Sequence, residues 1–207
     1  MKFKIFAVAC LLVLVSLAMS LITLAQEQQA KSEHQPKKEK FAALAFMPSG
    51  AGPAMVGAGA KANVDIYVNS YTNDAEAKSL ASVLREAGPD ALLKALEKTK
   101  SKGRISLSGR VGFYDLKLIR SHRIEGGRRI YAVGDRPVGF LEAYVSNRSR
   151  DYPFGILQLD LQTNSKGKEE GSGALLYAAK IKVLDGSAID VESYGIGPVK
   201  LMGLFKH

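Results

Sequence analysis

Residues 110–137 read RVGFYDLKLIRSHRIEGGRRIYAVGDRP. Their apolar period is two. Tyr114, Leu116 and Leu118 share one face of an extended run, and Asp115, Lys117 and Ile119 share the other. Glu125-Gly126-Gly127-Arg128 is a hairpin turn signal, because both glycines accept positive φ. Tyr131 and Val133 continue on the return strand, and Gly134-Asp135-Arg136-Pro137 breaks it.

Downstream of this hairpin the same period recurs. Leu157, Leu159 and Leu161 alternate with Gln158, Asp160 and Gln162. Leu175, Tyr177, Ala179, Ile181 and Val183 alternate with Lys180 and Lys182. Asp185-Gly186 is a second hairpin signal, Ile189 and Val191 follow, and Val199, Leu201 and Phe205 close the chain. The segment from Phe140 to Tyr152 has no clear period and reads either as a short strand with a loop or as a turn of helix with a loop. Alternation of apolar and polar residues is the mark of antiparallel sheets with one wet face.

Upstream, Val64, Ile66 and Val68 form a first strand, and a helical pair follows. Asn73 and Glu76 have capping-box spacing. Leu80 and Leu84 line one helical face, Gly88-Pro89 ends it, and Leu92, Ala95 and Leu96 give the buried face of a second helix, stopped at Gly103. The expected class is α+β: one strand and a helical pair, then an antiparallel β meander, sandwich-like or an open barrel. Repeated βαβ units are absent, which argues against a doubly wound nucleotide fold.

The N-terminus reads as an address. Lys2 and Lys4 precede an uncharged run from Ile5 to Ala25, and Thr23-Leu24-Ala25 presents small residues at a cleavage site. That is a secretory signal pattern, and its rival is an uncleaved membrane anchor. Residues 26–60 read as a polar spacer followed by a low-complexity connector, or as a segment that docks through Phe41, Leu44, Phe46 and Met47. Residues 61–207 are then a single domain. The one cysteine, Cys10, lies in the signal, so the rest of the chain has no thiol chemistry.

GRVGFYDLKLIRSHRIEGGRRIYAVGDRPVGFLEAYVSNRSRDYPFGILQLDL, with the later IDVESYGIGPVKL, resembles a family of small exported proteins of environmental bacteria that has no assigned activity. The resemblance implies export and a single domain, and carries over no catalytic residue.

The sequence carries no expected catalytic residue, no metal ligand set and no cofactor motif. His122 sits between arginines, and His34 and His207 lie in the spacer and at the last residue. Ser165 and Lys168 match S-x-x-K inside a hydrophilic loop, without the desolvated lysine that such a pair needs. Asp160, Asp190 and Glu192 are the carboxylates to test for hydrolysis.

Charge is the remaining signal. The chain carries 29 basic and 20 acidic residues, and residues 100–136 hold ten basic and three acidic of these, seven units of the formal +9. Lys117, Arg120, Arg123, Arg128 and Arg129, interleaved with Tyr114 and Tyr131, are the expected anion-binding residues. The expected role is that of an exported, periplasmic or secreted, non-enzymatic domain binding an anionic envelope polymer, lipid headgroup or acidic protein. Nucleic acid is not an expected partner, and a membrane is one only if residues 5–25 stay uncleaved. The alternatives are an extracytoplasmic hydrolase and a structural or assembly module.

Overall fold

A period of two predicts strands but not which strands meet. In the computed structural model, ten strands form one antiparallel sheet. They are β1 (Glu39–Phe46), β2 (Lys61–Val68), β3 (Gly103–Leu107), β4 (Tyr114–Leu116), β5 (Leu118–Ile124), β6 (Gly127–Gly134), β7 (Phe154–Thr163), β8 (Glu169–Val183), β9 (Ile189–Ser193) and β10 (Val199–Lys206), with one helical element, α1 (Asp74–Lys98), between β2 and β3. The structure describes residues 38–46, 61–107, 112–138, 151–184, 188–194 and 197–207. The signal, the Phe140–Arg150 part of the ambiguous segment and the Asp185-Gly186 turn lie outside them.

The strand order β4-β3-β2-β1-β10-β8-β7-β6-β5 is a nearly closed, barrel-like ring. Its two end strands, β4 and β5, are one residue apart. Leu116 pairs with Gly103 of β3, while Leu118 pairs with Val133 of β6. Between them the Lys117 amide donates to the Val133 carbonyl at 2.8 Å, and the Leu116 carbonyl accepts from the Lys102 amide at 2.8 Å. One continuous run, residues 114–124, therefore passes from one partner to the other. The strict alternation expected across it fails for this reason: Leu116 and Ile119 are both buried in the barrel, and Leu118 turns outward toward the helix.

The other departure is at the beginning. Residues 39–46 are not part of a connector: β1 pairs with β2 along its whole length and with β10 on its other edge. Ala179 pairs with both Phe154 and Ser193, which places β9 and β10 on the same edge of β8. Ten strands thus occupy eight positions around the ring, a number at which side chains fill the interior. Phe41, Ile66, Ile105, Ile119, Ile130, Leu159 and Leu201 do so, each at most 1% exposed.

A second apolar cluster lies outside the ring. Leu80, Leu84, Leu92 and Leu96 of α1 pack on Phe154, Ala179 and Ile181, with Leu118, Val133, Ile156 and Leu176 at its margin. The outward apolar positions of β5 to β8 exist for the helix. This also explains why Tyr177, Ala178 and Ala179 are buried in succession: β8 changes face there, beside a register shift against β7.

The helix begins as its capping box predicts. Asn73 Oδ1 accepts from the Glu76 amide at 2.8 Å, and Glu76 Oε2 accepts from the Asn73 amide at 3.3 Å. The expected two helices are one element broken at Gly88, which has φ 82° and ψ −178°. The helical stretch stops at Lys98, and Gly103 is instead the first residue of β3. Gly88 occupies a region essentially reserved for glycine, so Gly88→Ala is expected to cost about 1–3 kcal/mol, read as a shift of the denaturation midpoint with unchanged slope.

Candidate functional site

The five cations expected to bind anions do not share a surface. Inward positions on β6 are Arg128, Ile130 and Ala132; Arg129 and Tyr131 point outward. Lys117, at the bend, is buried: its Nζ is 3.4 Å from Asp135 Oδ2 and donates to the Thr99 carbonyl at 3.1 Å. Arg120 ties the hairpin to the start of α1, with Nη2 2.7 Å from Asp74 Oδ1 and Nη1 donating to the Thr72 carbonyl at 2.9 Å. Arg129 lies on the outer wall against Asp160, through Nε at 2.5 Å and Nη2 at 3.2 Å. Arg123 is exposed at the rim and makes no hydrogen bond or ion pair to a described residue. His122 is exposed and meets Tyr131 edge-on at 6.1 Å.

Arg128 is the centre of a charged cluster at one end of the barrel. It donates from Nε and Nη2 to both oxygens of Glu169 at 2.6 and 2.7 Å, and from Nη2 and Nη1 to both oxygens of Glu39 at 2.9 and 3.1 Å. Lys206 bridges the same two carboxylates at 2.6 and 3.0 Å. The Tyr71 hydroxyl accepts from Arg128 at 2.9 Å and donates to Glu39. Beneath the guanidinium, at 5.9 Å, lies the ring of Phe41. The strand pattern explains the gathering: Glu39, Arg128 and Lys206 are each the next inward position beyond the apolar ones on their strands, and Glu169 is the inward position beyond Gly171 and Gly173 on β8.

The electrostatics of the cluster are saturated. Burial alone would raise Glu39, but the hydrogen bonds from Arg128, Lys206 and Tyr71 win and lower it from 4.5 to about 2. Glu169 is lowered by the same two cations against its own burial. Burial and the bond to Glu39 raise Tyr71. Two positive and two negative groups cancel, both carboxylates stay ionised at neutral pH, and neither is poised as a general acid. An open groove of about 880 Å³ runs beside the cluster, lined by Thr163, Lys168, Glu169, Glu170, Phe205 and His207 among others.

The hydrolase carboxylates are dispersed. Asp160 pairs across to Ser172 of β8, and Asp190 pairs to Lys182. Ten residues of one strand separate those points, on the order of 33 Å. Glu192 is engaged by Lys182 and by the Tyr152 hydroxyl. Ser165 and Lys168 are exposed in the loop between β7 and β8. Among the described residues no group of three or more His, Cys, Asp or Glu side chains has the geometry to hold a metal ion.

A different surface carries two arginines, Arg104 and Arg136, that are in no ion pair with a described carboxylate. Lys40, Tyr67, Arg104 and Asp115 stand in cross-strand register on the outer wall of β1, β2, β3 and β4. Arg104 is exposed, with its guanidinium carbon 4.7 Å from the Tyr67 ring centroid and 5.4 Å from that of Phe113. Lys40 approaches Tyr67 at 5.4 Å and is paired with Asp65 at 3.4 Å. Arg136 lies 5.0 Å from the Tyr114 ring and donates to the Phe113 carbonyl at 2.9 Å. Asp115 accepts from the Ser101 hydroxyl at 2.7 Å. Neither Arg104 nor Arg136 forms an ion pair among the described residues.

Sequence reasoning missed this wall because its members are spread from residue 40 to residue 136. It missed Glu39 and Lys206 because both depend on β1 belonging to the ring. The available signal was the isolated alternation Lys40, Tyr67 and Arg104 on wet strand positions. Comparison with protein-family models, with curated proteins and with solved structures finds no match for this chain.

Proposed function

We propose that this chain is an exported, non-enzymatic domain that binds an anionic component of the cell envelope on its outer wall. The observation that carries this reading is the contrast between two sets of cations. Lys117, Arg120, Arg128 and Arg129 are held by the protein's own carboxylates. Arg104 and Arg136 are instead held by aromatic rings, which leaves their charge available to a partner. Arg123 is the hairpin residue that keeps an anion-binding role in this reading. The ring interior is filled by apolar side chains, and the reading of residues 1–25 as an export signal sets the compartment.

The test is co-sedimentation of the purified protein with anionic vesicles and with acidic polysaccharide, beside neutral vesicles and neutral glucan. Retention on at least one anionic probe at low salt, lost on raising the salt to about 0.5 M, is expected. Equal behaviour on anionic and neutral probes removes the reading.

A second reading, an assembly module, draws on the ribbon formed by β8 and β9. Val183, Leu184, Ile189 and Val191 are between 37% and 54% exposed there. Concentration-dependent sedimentation that Ile189→Lys abolishes would favour it.

A further inference from the structure

Resting on the binding reading above, we infer that the row Lys40, Tyr67, Arg104 and Phe113 is a binding site for an acidic polysaccharide bearing carboxylated sugars.

Lys40, Tyr67 and Arg104 come from neighbouring strands, which lie about 4.8 Å apart, so these three positions span roughly 10 Å of wall, and Phe113, just before β4, extends the row beyond Arg104. A linear polymer laid across the strands meets a cation or a ring at each step. Tyr67 has a cation on each side, Lys40 at 5.4 Å and Arg104 at 4.7 Å, and Phe113 is 47% exposed beyond Arg104. Clasped between two rings, Arg104 gives up little further freedom when an anion arrives, and its in-plane N–H donors match the two oxygens of a carboxylate. The exposed ring of Phe113 offers an apolar plate to the C–H face of a sugar.

The acidic groups of the wall select among polyanions. Asp65 beside Lys40 and Asp115 opposite Arg104 repel a polyanion whose units carry charge but no free hydroxyl, such as single-stranded DNA, and a dense anionic lipid surface. The same oxygens accept hydrogen bonds from sugar hydroxyls. A polymer that alternates carboxylate with hydroxyl is the partner that uses both signs. Phosphate-rich chains use one sign and are opposed by the other.

The experiment measures affinity of the purified protein for polygalacturonate, with neutral glucan, single-stranded oligothymidylate and phosphatidylglycerol vesicles as parallel probes. Arg104→Ser should weaken polygalacturonate binding about tenfold, the loss expected for one charge-assisted contact, with Arg104→Lys in between. Phe113→Ser should weaken it severalfold, while Lys94→Ser on the exposed side of α1 should leave it unchanged. Unaltered melting of each variant separates loss of binding from loss of fold. Preference for vesicles or oligothymidylate overturns the ligand assignment and leaves the wider anionic reading standing. Polygalacturonate binding indifferent to Arg104→Ser overturns the site. Absence of binding to every anionic probe removes the reading on which both rest.

Discussion

Arg128→Met is expected to destabilise the protein by about 3 kcal/mol. That is the lower end of what breaking a buried ion pair costs, because the rim is partly open to water. The reason is what the substitution leaves behind. Glu39, 8% exposed, and Glu169 would share one site with only Lys206 between them, and Glu39 would keep its charge without its bidentate partner. Glu39→Gln in the Arg128→Met background should recover part of the loss, since it removes the stranded charge. Chemical denaturation of the two single variants and the double variant measures this coupling, and simple additivity would show that the cluster does not act as a unit.

The same cluster sets a pH dependence whose sign is fixed. Glu39 has a folded value near 2, below its ordinary 4.5. Its contribution is therefore complete above about pH 4.5 and is lost as pH falls toward 2. Wild-type melting temperature should drop through that window, and the Glu39→Gln protein should start lower and fall less. Parallel curves for the two proteins would assign the acid sensitivity elsewhere.

Phe41→Ala has the second large expected effect, a loss of about 3–5 kcal/mol. Phe41 is fully buried, fills the ring and supports the Arg128 guanidinium. Deleting residues 38–46 altogether should abolish cooperative unfolding, because β2 and β10 would each lose a neighbour and the ring would open. A cooperative transition in the deleted protein would return the segment to the status of a connector.

These residues also show where the sequence was readable. Strand β7 was plain because Leu157, Leu159 and Leu161 face the interior while Gln158 and Asp160 face water. The capping box of α1 and the two-residue turn at Glu125-Gly126 are local chemistry, and both are present, Gly126 with φ 72°. Strand β1 was opaque because FAALAF is apolar or small at every position, so alternation had no contrast to show. Lys117 misled for the opposite reason: a lysine at a buried bend looks like a wet strand position. The charged cluster was invisible because its members are far apart in the chain. Arg128 and Glu39 are 89 residues apart, and Glu39 and Lys206 are 167 apart. No local pattern encodes a meeting that exists only when the ring is formed.

The pairing of β1 with β10, which sets Phe41 opposite Lys206, has a consequence for the order of folding. The ring's first and last strands are neighbours, so no partial chain has a complete wall until residues 199–206 have been synthesised. Contacts of such long sequence separation form slowly. A chain of this design keeps its ring open, with the edges of β1 and β8 unpaired, until β10 is in place.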